Sequence, residues 1–304
     1  MRSPDRVTPL ARPVTTDEEL AAAYAVRREV FTVGQGVPES IERDDRDAAA
    51  VHVIAELDGT VIGAGRLVRH GDSGRIGRLA VLEPFRGRGI GAALLQALER
   101  AAEEFGLTEV ELHAQTHARR FYDRAGYTAF GEGYLEAGIE HISMRRPLPV
   151  LRDARDDDSA ALIELIGSCW AEYPGCVLDV DAEEPWLRSP ATAYGACGGR
   201  LWVAELDGRV VGCAGLRGRE LKSLYVAAAA RRRGLGARLV RVVEREAAAR
   251  GCRDLVLWSD TRFLEAHRLY AACGWEMQPE IRGLHDLSNT TEHLFTKTLG
   301  MSVA

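Results

Sequence analysis

The sequence predicts an α/β (α+β) protein of two tandem domains, each with a mixed, mostly antiparallel central sheet flanked by helices. Two observations lead to this prediction: the chain repeats itself internally, and each repeat mixes short alternating strands with amphipathic helices. With 304 residues, 46% of them hydrophobic, the chain is long enough for each domain to bury its own core.

Four segments recur in one order along the chain. Their first residues are 55 and 204 for AELDGTVIG and AELDGRVVG, 86 and 231 for a glycine–arginine stretch, 119 and 267 for RRFYDRAGY and HRLYAACGW, and 139 and 291 for IEHIS and TEHLF. The offset drifts only from 145 to 152 residues, which is too little for coincidence. The segment RRPLPVLRDA separates the copies, and we therefore predict domains at residues 1–147 and 148–304.

Each copy is predicted to contain the same elements in the same order. A first helix follows Thr16 or Asp156, which we expect to act as N-cap residues. Alternating apolar residues then form a hairpin around the Asp-Gly pairs that begin at Asp58 and Asp207. The remaining predicted elements are another strand (76–81 or 221–226), an amphipathic helix (92–105 or 237–250), a buried strand (109–113 or 254–258), a short helix around Tyr122 or Tyr270, and two closing antiparallel strands.

Composition and charge exclude several classes of function. The formal net charge is −6 and neither half has a basic excess, so we expect no nucleic-acid partner. No stretch approaches about 18 apolar residues, and the N-terminus has no apolar core. We therefore expect no membrane span or secretion signal, and a cytoplasmic protein. The six cysteines form no C-x-x-C pair, so we expect reduced thiols and no metal.

Both copies carry the pattern R-x-x-G-x-G where the amphipathic helix begins, at Arg86, Gly89 and Gly91 and at Arg231, Gly234 and Gly236. Cations at a helix N-terminus are unfavourable, and a glycine in the first turn costs about 1 kcal/mol relative to alanine. Both penalties at one place in both copies indicate a function. Backbone amides that hold an anion, with arginines around it and glycines leaving room for a phosphate, would explain them. A dinucleotide-binding fingerprint fits the first copy alone, because Arg232 replaces its first glycine in the second.

This order of motif and elements resembles the GNAT superfamily of acyl-CoA-dependent N-acyltransferases, in two tandem domains that cover nearly the whole chain. The first copy resembles the ElaA-like branch through VRREVF, Q-x-V-P at 35–38, E-x-D-x-x-D at 42–47, His52 and G-I-x-H at 138–141. It departs from that branch at three positions, Gly34, Ala137 and Glu140. The second copy is similar to an uncharacterised GNAT group through LWSDTRFLEAHRLY and LHDLSNTTEH.

The resemblance implies a V-shaped splay between the family's fourth and fifth strands, which correspond to 76–81 and 109–113 in the first domain and to 221–226 and 254–258 in the second, with acetyl-CoA as the cosubstrate in the V. Backbone amides of the glycine–arginine loop would hold the pyrophosphate, and the fourth strand would pair with the pantetheine arm and polarise the thioester carbonyl. The implied cofactor-binding residues are Leu79, Ala80, Val81, Arg86, Gly87, Arg88, Gly89, Ile90, Gly91 and Ala92 in the first domain, and Leu224, Tyr225, Val226, Arg231, Arg232, Arg233, Gly234, Leu235, Gly236 and Ala237 in the second.

The resemblance also implies a tyrosine that protonates the departing thiolate. It maps to Tyr122 and Tyr270, which could instead be aromatic residues of the core. For deprotonation of the amine, Glu220 stands eleven residues before the motif arginine, as the general base of the histone-modifying members does. Glu220 could instead pair with a neighbouring cation at the edge of its strand.

The first copy has Arg75 in the place of that glutamate. Its base would then be a water chain, His141, or the acids Glu42, Asp44 and Asp47. His141 and His293 share a late strand in both copies, where a structural role is also open.

The polar segments at 34–51 and 173–200 differ between the copies, and we expect them to shape the acceptor sites. The acids of the first suit a cationic amine, and either run of acids could also be a solvated loop. The second offers Asp179, Asp181, Glu183, Glu184, Trp186 and Tyr194. His285-Asp286 and residues 288–291 could contact the acceptor or serve only as turn residues.

The sequence therefore predicts an N-acetyltransferase that transfers acetyl groups to primary amines of small molecules or proteins, by direct attack in a ternary complex. In the alternative, one domain binds coenzyme A only as a sensor or scaffold, and the N-terminal domain, without the strand glutamate, is the better candidate. We expect a monomer with two pseudo-repeated domains or a homodimer.

Overall fold

The structure is a computed structural model, and it describes residues 10–300. The chain divides into two compact units, the first ending at Leu148 and the second beginning at Pro149. The division lies one residue beyond the predicted boundary. Within residues 10–300, no helix is long and apolar enough to cross a membrane.

The first unit contains seven strands and four helices among its described residues. The strands are β1 (Leu10–Pro13), β2 (Val51–Leu57), β3 (Thr60–His70), β4 (Ser73–Val81), β5 (Glu109–Gln115), β6 (Thr128–Glu136) and β7 (Ile139–Pro147). The helices are α1 (Asp17–Arg27), which a π-helical turn extends over Arg28–Val33, α2 (Glu39–Glu42), α3 (Ile90–Glu104) and α4 (Arg119–Arg124).

The second unit repeats this arrangement with different connections. Its strands are β8 (Val150–Asp153), β9 (Arg200–Leu206), β10 (Arg209–Arg217), β11 (Glu220–Val226), β12 (Asp254–Asp260), β13 (Glu276–Gly283) and β14 (Thr291–Thr298). Its helices are α5 (Ser159–Trp170), α6 (Pro190–Ala196), α7 (Leu235–Ala249) and α8 (Leu264–Ala272).

Each unit forms one seven-stranded sheet with the same topology. The strand order is β1-β2-β3-β4-β5-β7-β6 in the first unit and β8-β9-β10-β11-β12-β14-β13 in the second. All neighbouring pairs are antiparallel except β4 with β5 and β11 with β12, which are parallel. The predicted mixed, mostly antiparallel sheet flanked by helices is therefore confirmed in both units.

The hairpins and most helix boundaries follow local signals in the sequence. Asp58 and Asp207 have φ of 49° and 50° and are each followed by a glycine with positive φ, as a tight hairpin requires. Thr16 caps α1 by accepting a hydrogen bond from the amide of Glu19 at 3.2 Å. The cap predicted at Asp156 is wrong, because a 3-10 turn precedes α5 and the Asp156 carboxylate instead accepts two hydrogen bonds from Thr192.

Each sheet begins with a short strand that the sequence analysis did not predict. β1 and β8 have four residues each and pair antiparallel with β2 and β9. Four residues are too few to show the alternation by which strands are recognised.

The amphipathic helices could be predicted from their helical periodicity of apolar residues. In the structure α3 buries Leu94 and Leu98 against its sheet, and α7 buries Leu239 and Val243 against its own.

A buried cluster of charges fixes the connection between α1 and β2 in the first unit. The Arg27 guanidinium, fully buried, donates to Glu42 Oε1 at 2.6 Å and to Asp47 Oδ1 at 2.7 Å. Arg66 of β3 donates to Asp44 Oδ1 at 2.6 Å and shares Asp47 Oδ1 at 2.7 Å. Burial by itself raises the pKa of Asp47, but the hydrogen bonds from Arg27 and Arg66 lower it to about 2.

Arg78 of β4 adds a third cation to this cluster. Its guanidinium donates to the backbone carbonyls of Ile41 and Glu42 at 2.5 and 2.8 Å, and lies 3.6 Å from Asp44. Three arginines therefore face three carboxylates. The expectation that Glu42, Asp44 and Asp47 form a free acidic surface for a cationic amine, or supply a base, is wrong because their charges are already compensated.

We predict that Arg27→Ala lowers the free energy of unfolding of the first unit by about 3–5 kcal/mol, since two carboxylates lose a buried partner. Urea unfolding of the full chain, with hydrogen exchange of the β2–β4 amides to report on the first unit, measures the loss. Arg119→Ala is the matched control, because its pair with Asp123 is exposed and worth about 0.5 kcal/mol. A loss as small as the control's would contradict the role of the cluster.

The same cluster makes the first unit sensitive to acid. The folded pKa of Asp47 lies below the value near 3.9 of an unfolded aspartate. Its contribution to the free energy of unfolding is therefore complete above a pH of about 4. It is lost as the pH falls toward about 2. Hydrogen exchange of the β2–β4 amides across this range should show the loss in the wild type, and Asp47→Asn should reduce the pH dependence to the part that comes from Asp44, whose pKa the hydrogen bond from Arg66 also lowers.

Candidate active site

The parallel strands of each sheet part soon after they begin to pair. Pairing of β4 with β5 ends at Ile76 and Leu112, while β4 remains paired with β3 as far as Val81. In the second unit β11 pairs with β12 at Glu220 and Val256, whereas its pairing with β10 continues as far as Val226. The predicted V-shaped splay is therefore confirmed, and the end of β4 or β11 presents a polar backbone edge to it.

A β-bulge lies where the strands part. Arg78 and Ser223 occupy equivalent positions and both have φ of 54°, in the left-handed region that residues other than glycine rarely adopt. The register of β4 on β3 and of β11 on β10 shifts at these residues. Such a conformation costs about 1–3 kcal/mol and is found where function requires it. Sequence reasoning missed both bulges, because neither residue type marks them.

The glycine–arginine loop connects the end of β4 or β11 to the next helix. Gly87 and Gly89 have φ of 74° and 83°, and Arg232 and Gly234 have φ of 62° and 84°. Among the described residues, no side chain caps α3 or α7, each of which begins directly after the second of these residues. Left-handed residues before an uncapped helix turn several backbone N–H groups toward one place, which is the arrangement that binds phosphate.

Two different steric constraints require glycine at the positions of the motif. Gly89 and Gly234 have open space around them, so their positive φ is what excludes other residues. A Cβ on Gly236 would lie 2.8 Å from Leu269 of α8, and one on Gly91 would lie 3.6 Å from Phe121 of α4. The sequence analysis assigned the glycines to phosphate access alone. The structure adds close packing of the loop helix on the helix that carries the predicted catalytic tyrosine.

The first arginine of the motif is tied to its own strand. Arg86 Nε donates to the carbonyl oxygen of Val81 at 3.0 Å, and Arg231 Nε donates to that of Val226 at 2.8 Å. Arg231 also pairs with Glu172 at 2.5 and 2.7 Å, and this hydrogen bond raises its pKa. These two arginines hold the loop against the strand end, whereas we had expected all of the loop arginines to surround an anion.

The predicted catalytic tyrosines are buried on the helices after the fifth strands. Burial raises the pKa of Tyr122 to about 12 and also raises that of Tyr270. Both therefore stay protonated at neutral pH, as a proton donor must. A side-chain hydrogen bond joins Tyr270 to Ser259 of β12, whereas Ala114 occupies the equivalent position of β5.

An acid on the loop helix fixes the position of each tyrosine helix. Glu99 of α3 accepts hydrogen bonds from Tyr127 at 2.9 Å and from Arg146 at 2.7 Å. Glu244 of α7 accepts from Trp275 Nε1 at 2.9 Å and from Lys297 at 2.7 Å. Tyr127 and Trp275 are the last residues of AGY and CGW, so this pair of motifs joins the loop helix to the tyrosine helix and the sheet.

The predicted bases lie in unlike surroundings. Glu220 begins β11, and its carboxylate lies 3.6 Å from Lys222 Nζ. Arg75, at the equivalent position of β4, has a buried Nε with no hydrogen-bond partner among the described residues. His141 Nδ1 is 2.8 Å from the carbonyl oxygen of Ile139 and therefore carries a proton.

Most polar residues of the loop before β14 serve as turn residues or fasten the loop, which is the second of the two roles considered for them. Asp286 accepts hydrogen bonds from the amide and the hydroxyl of Thr290 at 2.7 and 2.6 Å, so it closes its own turn. Ser288, 6% exposed, accepts from the amide of Val177 at 2.9 Å and donates to its carbonyl at 3.3 Å. This loop is therefore fastened to the segment between α5 and β9. Within residues 10–300, no group of three or more potential ligands is arranged to hold a metal ion.

Comparison with known proteins finds acetyltransferase relatives for both halves of the chain. The acetyltransferase (GNAT) domain model matches residues 12–148, and the acetyltransferase (GNAT) family model matches residues 161–275. The uncharacterised N-acetyltransferase YjcF of Bacillus subtilis is 36% identical over 43% of this chain and 94% of its own length.

Two further proteins resemble part of the chain. Protein ElaA of Escherichia coli is 32% identical over 42% of this chain and 87% of its own length, and it matches the first half. A solved structure of an acyl-CoA N-acyltransferase from Pseudomonas aeruginosa is 36% identical and covers 46% of this chain and 99% of its own, with a TM-score of 0.43.

With the splayed strands, the uncapped loop helix and the buried tyrosine present in each unit, and a family match to each, the chain belongs to the GNAT acetyltransferase family as two tandem domains.

Proposed function

We propose that the protein is an acyl-CoA-dependent N-acetyltransferase that transfers an acetyl group from acetyl-CoA to a primary amine by direct attack in a ternary complex. One observation supports this most strongly. In both domains, a strand edge released from its parallel neighbour runs directly into an uncapped helix N-terminus. The edge suits the amide groups of pantetheine, and the helix N-terminus suits a pyrophosphate.

The cofactor residues follow from this placement. The loop amides of residues 86–92 and 231–237 would hold the pyrophosphate, with the exposed Arg88, Arg232 and Arg233 in reach of its charge. Backbone groups of residues 79–81 and 224–226 would pair with pantetheine. An amide next to the bulge would polarise the thioester carbonyl, where negative charge develops during attack.

Tyr122 and Tyr270 would protonate the departing thiolate, and the amine must first lose a proton of its own, since its pKa is near 10. In the second domain a carboxylate of the cleft would take that proton, and the spacing of Glu220 from the motif makes it one candidate. In the first domain Arg75 replaces this residue and the nearby acids are paired with arginines, so a water chain or His141 remains.

That same difference supports the second candidate function, in which the first domain binds coenzyme A without catalysis. Calorimetry of the full chain with acetyl-CoA gives the number of sites, and thiol release with a panel of primary amines, measured in the Gly89→Val and Gly234→Val chains, shows which site turns over. Two sites with turnover are expected. Binding without thiol release for any amine would favour the sensor function over the enzyme.

We predict that Gly89→Val and Gly234→Val each reduce acetyl-CoA binding from two sites to one. A β-branched residue in the left-handed conformation costs about 1–2 kcal/mol or more, so the loop would change shape and scatter its amides. Calorimetry measures the stoichiometry, and each variant is the control for the other. Two intact sites in both variants would contradict the assignment of the loops.

We predict that Tyr122→Phe and Tyr270→Phe lower turnover by about 100-fold while leaving acetyl-CoA affinity within about twofold. Each is measured in a chain whose other domain has lost its acetyl-CoA site: Tyr122→Phe in the Gly234→Val chain and Tyr270→Phe in the Gly89→Val chain. A drop in acetyl-CoA affinity equal to the drop in turnover would instead indicate that the tyrosines only pack the core.

A further inference from the structure

The acceptor segment of the second domain carries four acids close together, and three of them bind backbone amides or an arginine. Asp179 accepts hydrogen bonds from two backbone amides that follow it, at 3.0 and 2.9 Å. Asp181 pairs with Arg188 at 2.6 Å on the surface. Glu183 accepts from the amide of Leu287 at 2.7 Å and so fastens the loop before β14. These three acids shape the segment.

Glu184 differs from these neighbours in its partner, which is an aromatic side chain. Its Oε2 accepts a hydrogen bond from the indole of Trp186, and, as in the other three acids, its second oxygen has no hydrogen-bond partner within residues 10–300. The side chain is partly buried, and this burial raises its pKa. A carboxylate that has lost part of its hydration and keeps a free oxygen is well suited to accept a proton.

The contacts of Trp186 connect Glu184 to the bulge of β11. The Trp186 ring packs edge-on against the Tyr194 ring with centroids 5.4 Å apart. The Tyr194 hydroxyl donates to Ser223 Oγ at 2.8 Å, and Ser223 is the left-handed residue of the bulge. Glu184 therefore belongs to an aromatic layer built on the residue beside which the thioester carbonyl would lie.

The charged groups that act on Glu184 come from three elements. Lys222 of β11 and Arg217 of β10 lower its pKa, and Glu183 of its own segment raises it. The Tyr194 and Tyr225 hydroxyls also lie within its electrostatic reach, and both stay protonated because burial raises their pKa. The Lys222 ammonium lies 3.6 Å from the Glu220 carboxylate, so these two opposite charges compensate each other.

Resting on the proposed function, we propose that Glu184 receives the ammonium group of the acceptor in the second domain and takes its first proton. The second oxygen, Oε1, accepts from the ammonium, and the partly exposed Trp186 ring, backed by the buried Tyr194 ring, lies beside the carbon chain that bears it. The acceptor is thus a primary amine with an apolar carbon next to the nitrogen. Glu220 keeps its ion pair with Lys222.

The proton transfers balance as follows. The ammonium gives one proton to the Glu184 carboxylate, and the resulting amine lone pair forms a bond to the carbonyl carbon of the thioester. The carbon–sulfur bond then breaks with its electron pair on sulfur, and the thiolate takes a proton from Tyr270. The second amine proton restores the Tyr270 hydroxyl, and Glu184 gives its proton to water.

The test uses the full chain with Gly89→Val, so that acetyl transfer reports on the second domain. Thiol release with a panel of primary amines is followed as a function of pH for Glu184→Gln, with Asp157→Asn as the control, because Asp157 is an exposed acid of the second domain that pairs with Arg155 outside the acceptor segment. Glu184→Gln should lower kcat/KM for the amine by about 100-fold and remove the acidic limb of the pH profile. Asp157→Asn should do neither, and both should keep the acetyl-CoA site.

Glu184→Asp guards against a folding defect, since it keeps a carboxylate and should retain the acidic limb at a reduced rate. An unchanged acidic limb in Glu184→Gln would overturn the assignment. Loss of that limb in Glu220→Gln, with Glu184→Gln unaffected, would overturn it as well and leave the proposed function intact. Absence of thiol release from the wild-type chain with every amine would overturn the proposed function, and this assignment with it.

Discussion

One left-handed residue in the fourth strand of each domain, Arg78 or Ser223, is the constraint on which the cleft depends. A residue with φ of 54° turns the strand, so its ladder to the parallel neighbour ends while the ladder on its other edge continues. The released edge then carries backbone donors and acceptors without strand partners. The first motif arginine closes the end of this edge through the carbonyl of Val81 or Val226.

The two domains share this half of the site in detail. Both use a left-handed pair of residues before an uncapped helix, and both use an acid on that helix, Glu99 or Glu244, to hold the aromatic residue that ends AGY or CGW. A donor on the closing strand completes each cluster. The aromatic residue and the cation both differ between the copies, Tyr127 and Arg146 in the first and Trp275 and Lys297 in the second. In each copy the acid still accepts one hydrogen bond from the aromatic residue and one from the cation.

The acceptor halves differ in charge and in chemistry. In the first domain three arginines neutralise three acids, and Arg78 joins this cluster directly to the bulge. In the second domain the bulge residue Ser223 contacts an aromatic layer, and the Glu184 carboxylate binds the indole of that layer. The same backbone feature thus supports a buried charged connection in one copy and an aromatic layer in the other.

The sequence by itself determined the duplication, the order of the elements and the position of the glycine–arginine loop. These depend on local signals: repeated segments, helical periodicity, Asp-Gly turns, and glycines where φ must be positive. Only the tertiary structure decided the bulges at Arg78 and Ser223 and which acids remain free. A bulge forms through register with a neighbouring strand, and an acid is neutralised by an arginine distant in sequence, as Asp47 is by Arg27 and Arg66. Neither relation leaves a trace in local composition.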